Sequence, residues 1–319
     1  MWRGVYPSGS FEITKASFAS GRPSIADRGE GMNESYPSHR VPQQNPMIRH
    51  QLHRATPVHP ICRGRVNGIP MGSNASDSLM LEICRCPNIS LAHQDANHPC
   101  NEIVNVQDFS WDGFQLPEPW SGDLDGAPVL CIASNPSINL KESYPNKIWG
   151  DDVRLDFFRY RFSADRKWTK NRRVLLADGE SYHNRSVAFW NNVHRQVERA
   201  YGRSVEMGVD YAMTEIVHCK SESEIGVNRC KSLCAKTWMD RIITLSSAKV
   251  LMLFGSIAKE WFGNLVGEKL DRAGVRTGVI IADSPRLVVW LPHPNARGER
   301  NLTSVLEDLE VNLIRSSLS

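Results

Sequence analysis

From about residue 126 onward, short apolar runs alternate with stretches of helical periodicity. This alternation predicts βαβ units around a mostly parallel sheet. Four runs, at 128–133, 211–218, 250–254 and 287–291, are rich in Val, Ile, Leu and Met and are followed by polar or glycine-containing turns, which reads as buried strands. Between them Trp190, Val193, Val197, Ala200 and Tyr201 recur at helical spacing and stop at Gly202. Cys230, Leu233, Cys234, Thr237, Trp238, Arg241 and Leu245 mark the face of another helix. A last helix is predicted to start near Asn301, an acceptable N-cap, and to carry Leu302, Val305, Leu306, Leu309 and Leu313 inward. The expected fold is a three-layer α/β/α sandwich with a central, mostly parallel, four-stranded sheet.

The N-terminal part breaks this pattern. Residues 1–80 are rich in Ser, Pro, Gly, Arg, Asn and His without a sustained period, too little apolar material to offset the entropy of ordering, and are expected to be a disordered leader. A cysteine-containing lead-in follows over 81–125, and the domain proper is expected over 126–319. A hydrophobic content of 41% suffices for a buried core, while a net charge of +3 neither requires nor excludes nucleic acid. Eight cysteines in 319 residues, several of them crowded together, read as thiols or metal ligands in a reducing compartment rather than as a secreted disulfide framework. No apolar run reaches the roughly 18 residues of a membrane span, and no signal-peptide order is present, so a cytoplasmic protein without membrane association is expected.

Ligands of open parallel sheets bind beyond the carboxyl ends of the strands. Three of those ends are chemically unusual: Ser134-Asn135-Pro136-Ser137 after the first run, Thr214-Glu215-Ile216-Val217-His218-Cys219 at the second, and His293-Pro294-Asn295 with Arg297 and Arg300 after the fourth. Each is unspecific alone, since Asn-Pro and His-Pro are common turn pairs. Their order and strand-end placement together resemble the uracil-DNA glycosylase superfamily over roughly residues 126–315. That superfamily has an Asp-, Asn- or Ala-Pro motif after its first strand and a His-Pro-Ser type motif after its last. Its iron-sulfur branch has a T-N-x-V-K-C stretch similar to 214–219, followed by a strand ending in glycine, here Gly255.

The resemblance implies hydrolysis of the N-glycosidic bond of a damaged or mispaired base, uracil or another deaminated base, by a monomer acting on DNA. Asn135 would position water and His293 would donate a hydrogen bond to the base carbonyl where charge develops. Ser134 and Pro136 would line the base site. The extruded base needs an aromatic platform, and the nearest residue in the corresponding place is Trp149, with Tyr144 as the alternative. Ser137, Asn295, Arg297 and Arg300 would contact the DNA backbone, and the Arg- and aromatic-rich stretch 156–173 is either a further backbone contact or an amphipathic helix edge. The departure is Glu215, which stands where uracil-specific relatives carry Asn. An ionised Glu only accepts hydrogen bonds and would suit a base edge with two donors, whereas a Glu kept protonated by burial still reads uracil. A catalytically silent DNA-binding protein of the same fold and a generic α/β enzyme acting on a nucleotide-like small molecule are the alternatives.

The cysteines admit three readings. Cys84 or Cys86, Cys100, Cys219 and Cys234 resemble the ligand set of a structural 4Fe-4S cluster, although Cys84-Arg85-Cys86 is one residue short of that branch's spacing. Cys84, Cys86, His98 and Cys100, with His93 nearby, would suit tetrahedral zinc. Cysteine on the apolar face of a helix, as Cys230 and Cys234 are, is also an ordinary small hydrophobe. No cofactor is needed for the chemistry itself.

Overall fold

The computed structural model describes residues 74–110 and 113–319; the expected leader at 1–73 lies outside the described residues. The elements in chain order are α1 (Ala75–Cys84), α2 (Pro87–Gln94), α3 (Asn101–Asn105), β1 (Val129–Ala133), α4 (Asp151–Tyr160), β2 (Thr169–Lys170), β3 (Arg173–Val174), α5 (Ala188–Tyr201), β4 (Tyr211–Glu215), α6 (Val227–Leu245), β5 (Val250–Phe254), α7 (Gly255–Val266), β6 (Gly274–Ile281), β7 (Ser284–Leu291), α8 (Leu302–Val305) and α9 (Asp308–Leu318).

Among the described residues the central sheet has five strands in the order β4-β1-β5-β7-β6, not the expected four. The four predicted runs are the parallel strands, and β6 adds an antiparallel edge to β7. This edge escapes periodicity because it alternates only weakly, and its hairpin turns on Ala282-Asp283. Both residues adopt positive φ, at 50° and 59°, without the Asn-Gly or Asp-Gly pair that usually announces such a turn.

Strand residues are shared between two cores with period 2. Leu130, Ile132, Ala212, Leu251, Leu253, Val288 and Trp290 face the core built with α1, α3, α4, α6 and α7. Val129, Cys131, Tyr211, Met213, Val250, Met252, Phe254, Val289 and Leu291 face the core built with α5, α8 and α9. The result is the expected three-layer α/β/α sandwich. Helix α5 ends at Gly202 in the left-handed conformation (φ 70°) that a C-cap glycine supplies.

Two expectations need correction. Residues 75–80 are not leader but the first turns of α1, where Leu79 and Met80 are buried. The C-terminal helix is also interrupted: Leu306 is extended, and Glu307 and Glu310 form a capping box that restarts the helix as α9. This resets the helical phase, so Val311 and Ile314 point inward while Leu309 is 70% exposed and Leu313 is also exposed.

Candidate functional site

The chain runs from β1 to one neighbour, β4, and then to the other, β5, so the strand order reverses beside β1. Open α/β sheets bind ligands at such a switch point. A cavity of about 760 Å³ lies there, lined among others by Ser134, Asn135, Pro136, Glu215, Gly255 and His293, within the size range of small-molecule sites. Residues from three separate strand ends thus meet at one place. Register explains how. Ala133 pairs with Glu215 across β1 and β4. Beyond the strands the backbone continues the clamp, as Ile216 N–H donates to Ala133 C=O, Val217 N–H to Ser134 C=O and Ser221 N–H to Pro136 C=O.

Each of the three side chains has a defined orientation. Asn135 Nδ2 donates to Pro136 C=O at 3.0 Å, which identifies its other amide atom as the acceptor Oδ1, with Ser134 Oγ 3.4 Å away. His293 Nδ1 accepts the Asn295 backbone N–H at 3.2 Å. Because a backbone N–H only donates, the proton of the neutral ring sits on Nε2, and burial holds the imidazole below its ordinary pKa. Gly255 lets the ring approach: its φ is +86°, and a Cβ placed there would meet His293 Cβ and Cδ2 at 3.4 Å.

Glu215 is 5% exposed, and its Oε2 is buried without a hydrogen-bond partner. Burial pushes its pKa well up, and the negative charge of Glu118 adds to the effect. Glu118 goes the other way. Burial alone would raise its pKa, but Arg161 and Lys220 outweigh that and hold it below the usual carboxylate range. Its Oε1 accepts from Arg161 at 2.9 Å and its Oε2 from the Tyr144 hydroxyl at 2.9 Å. The two neighbouring carboxyls of the cavity are therefore shifted in opposite directions, a separation that environment alone produces.

Beneath them is a charged floor that strand-end reasoning missed. Arg161, 2% exposed, binds both Glu118 and Glu142 and packs its guanidinium over Trp190 at 4.6 Å and Phe157 at 4.8 Å from the ring centroids. Lys220 lies 3.9 Å from Glu142 and 3.5 Å above the Tyr144 ring. Glu118 is pinned by two reciprocal bonds: its N–H donates to His218 C=O, and His218 Nδ1 donates to its C=O, each at 2.8 Å. Burial lowers the His218 pKa to about 4, so that ring is neutral. Arg161 sits in the stretch expected to be a backbone contact or a helix edge, and nothing in its sequence neighbourhood sets it apart from the arginines around it. Lys220 could have been found, since it too follows a strand end.

Trp149 is not at the cavity. Half-buried, it packs tilted on Trp168 at 5.5 Å and edge-on to Phe157 at 5.9 Å, against the core under α4. Tyr144 is buried on Glu118, so neither expected platform is available. The aromatic rings that do line the cavity are Phe189 and Trp190 at the start of α5, and Phe189 stacks on His293 with centroids 5.6 Å apart. The stretch 156–173 divides: Phe157, Phe158, Arg161 and Trp168 are buried, whereas Tyr160, Arg166, Lys167, Lys170 and Arg173 are exposed, with Arg166 paired to Asp156. Ser137 and Asn295, which line the cavity, are exposed, and Asn295 accepts from Asn192 Nδ2; Arg297 is exposed on the loop after Asn295, and Arg300 bonds back to Ala296 C=O.

Cys86, Cys100, Cys219 and Cys234 come together, joined by Cys230, around a separate cavity of only about 10 Å³, room for about one water. Burial raises the pKa of Cys234 to about 12 and that of Cys86 and Cys219 as well. Cys84 is apart from them, raised to about 12 by burial and facing Arg154, Arg85 and Asp151. Of the zinc set, Cys86 and Cys100 share this cavity and His98 Nδ1 accepts the Cys100 N–H, while His93 stacks on Phe109 and pairs with Asn105. Among the described residues no group of three or more His, Cys, Asp or Glu side chains is arranged to hold a metal ion. The soft thiol donors of Cys86, Cys100, Cys219, Cys230 and Cys234 thus converge on one small cavity.

No helix among the described residues is long and apolar enough to cross a membrane. No protein-family model matches the chain, and no curated protein matches it either.

Proposed function

We propose that this protein hydrolyses the N-glycosidic bond of a deaminated or mispaired base in DNA. The observation that supports this most is the convergence of Asn135, Glu215 and His293 from three strand ends in one cavity. Asn135 Oδ1 orients the water that attacks the sugar carbon. His293 Nε2–H donates to a base carbonyl oxygen, where negative charge grows as the bond breaks. As a neutral imidazole it stabilises the departing anion without a bound proton to lose first.

Protonated Glu215 answers the question that its position raised. A carboxylic acid offers one donor and one acceptor side by side, as an amide does. Its O–H meets a base carbonyl and its C=O meets the adjacent ring N–H, the edge shared by uracil, hypoxanthine and xanthine. Phe189 and Trp190 take the place expected of Trp149 as the aromatic surface for the extruded base. Arg297 and Ser137 on the rim contact phosphates.

The test is base release from labelled oligonucleotides carrying uracil, hypoxanthine, xanthine or a G:T mismatch, with abasic sites cleaved by alkali. Release from at least one substrate, lost in Asn135→Ala, is expected. Salt-dependent binding without release from any of them would instead support a silent DNA-binding protein, and neither release nor binding would refute the reading.

A pH dependence follows with a definite sign. The folded-state pKa of Glu215 is raised, so the reading form exists below that pKa and is lost as pH rises through it. Release by the wild type is expected to fall on the alkaline side, whereas Glu215→Gln, neutral at every pH, keeps its release there. Parallel profiles would mean that Glu215 does not read the base.

A further inference from the structure

The glycosidic chemistry above uses Asn135, His293 and Glu215 and gives Lys220 no step of its own. This lysine lines the same cavity and is 2% exposed. Its Nζ lies over the Tyr144 ring at 3.5 Å, and Glu142 Oε2, at 3.9 Å, is beyond hydrogen-bond length. Arg161 binds both Glu118 and Glu142, so Lys220 balances the second carboxylate from a distance and not in a close pair. What Lys220 has is a place in the cavity lining, a carboxylate 3.9 Å from its amine that can take its proton across one bridging water, and a second carboxyl, Glu215, in the same lining.

We infer that Lys220 is a nucleophile for an aldehyde, and that its substrate is the ring-opened deoxyribose of an abasic site, which the protein cleaves as a lyase. The ammonium passes a proton to Glu142, and the free amine attacks C1′ of the aldehyde, forming a C–N bond while the carbonyl electron pair moves to oxygen. That oxygen leaves as water, one proton coming from the amine nitrogen and one returned from Glu142, and an iminium remains on Lys220. The iminium draws electrons from C2′, which gives up a proton to Glu142. The C3′–O bond then breaks, the 3′ phosphate departs with its electron pair, and a C2′=C3′ double bond is left. Water hydrolyses the iminium and restores the amine. No oxidant or reductant is consumed.

The inference rests on the proposed function only for the idea that the aldehyde is carried by DNA, and its test bypasses base release. The full chain is incubated with an oligonucleotide carrying one preformed abasic site, in the presence of sodium cyanoborohydride, which reduces an imine to a stable secondary amine. A covalent protein–DNA adduct is expected, with peptide mass spectrometry placing it on Lys220, and with no adduct on a tetrahydrofuran analogue that has no aldehyde. Lys220→Met should abolish the adduct, and the mass map on unaltered protein makes the result independent of whether that variant folds. No adduct, or an adduct mapped to another amine, overturns the inference. Base release without trapping would leave the glycosylase reading intact and remove only the lyase; trapping on Lys220 without base release would do the reverse.

Discussion

His293→Ala is expected to slow base release by about 10²–10³-fold, the usual cost of removing one preorganised donor to a developing oxyanion. The loss should appear in kcat far more than in KM, because the bond from Nε2 strengthens only as charge accumulates on the base. Single-turnover release with excess protein measures it without interference from product departure. The prediction depends on the tautomer: the Asn295 N–H occupies Nδ1 and leaves the Nε2 proton for the cavity. A variant that retained wild-type rates would show that His293 is only a packed strand-end residue, stacked on Phe189.

Arg161→Met is expected to be the most destabilising single change at the site, by about 3–5 kcal/mol, the range for removing one partner of a buried ion pair. Methionine fills the space between Trp190 and Phe157 but leaves Glu118 and Glu142 buried with only Lys220 to balance them. Urea denaturation measures the change, and adding Glu118→Gln should recover part of it, since the second substitution removes a charge that has lost its partner. Arg166→Met is the contrasting case. Its pair with Asp156 is solvent-exposed, and exposed pairs are worth about 0–1 kcal/mol. Equal effects at the two positions would mean that the floor is solvated and that the acid–carboxylate division between Glu215 and Glu118 does not hold.

That division was only half legible in the sequence. Glu215 stood out because it ends a strand where a base-reading amide would be expected, and the question of its protonation could be posed. The answer depends on Glu118, Arg161 and Lys220, which come from 97, 54 and 5 residues away along the chain and meet only when α4, the segment before β1 and the turn after β4 pack together. Trp149 went astray for a related reason. Sequence distance from Asn135 predicts where an aromatic falls on the chain, but the ring packs against Phe157 and Trp168, on the edge of the core and away from the cavity.

The four parallel strands, helices α5 and α6 and the Gly202 stop follow from the sequence by itself, because burial periodicity and the conformational freedom of glycine act over a few neighbouring residues. The same local logic marked Asn135, Glu215 and His293, since strand ends of a parallel sheet are identifiable one at a time. Tertiary structure alone decided the fifth strand, the reset of α9, the choice of Phe189 and Trp190 over Trp149, and the convergence of Cys86 rather than Cys84 with Cys100, Cys219 and Cys234. Each of these depends on which side chains share a buried volume. Protonation, ring placement and thiol convergence are properties of that volume, which distant segments create together.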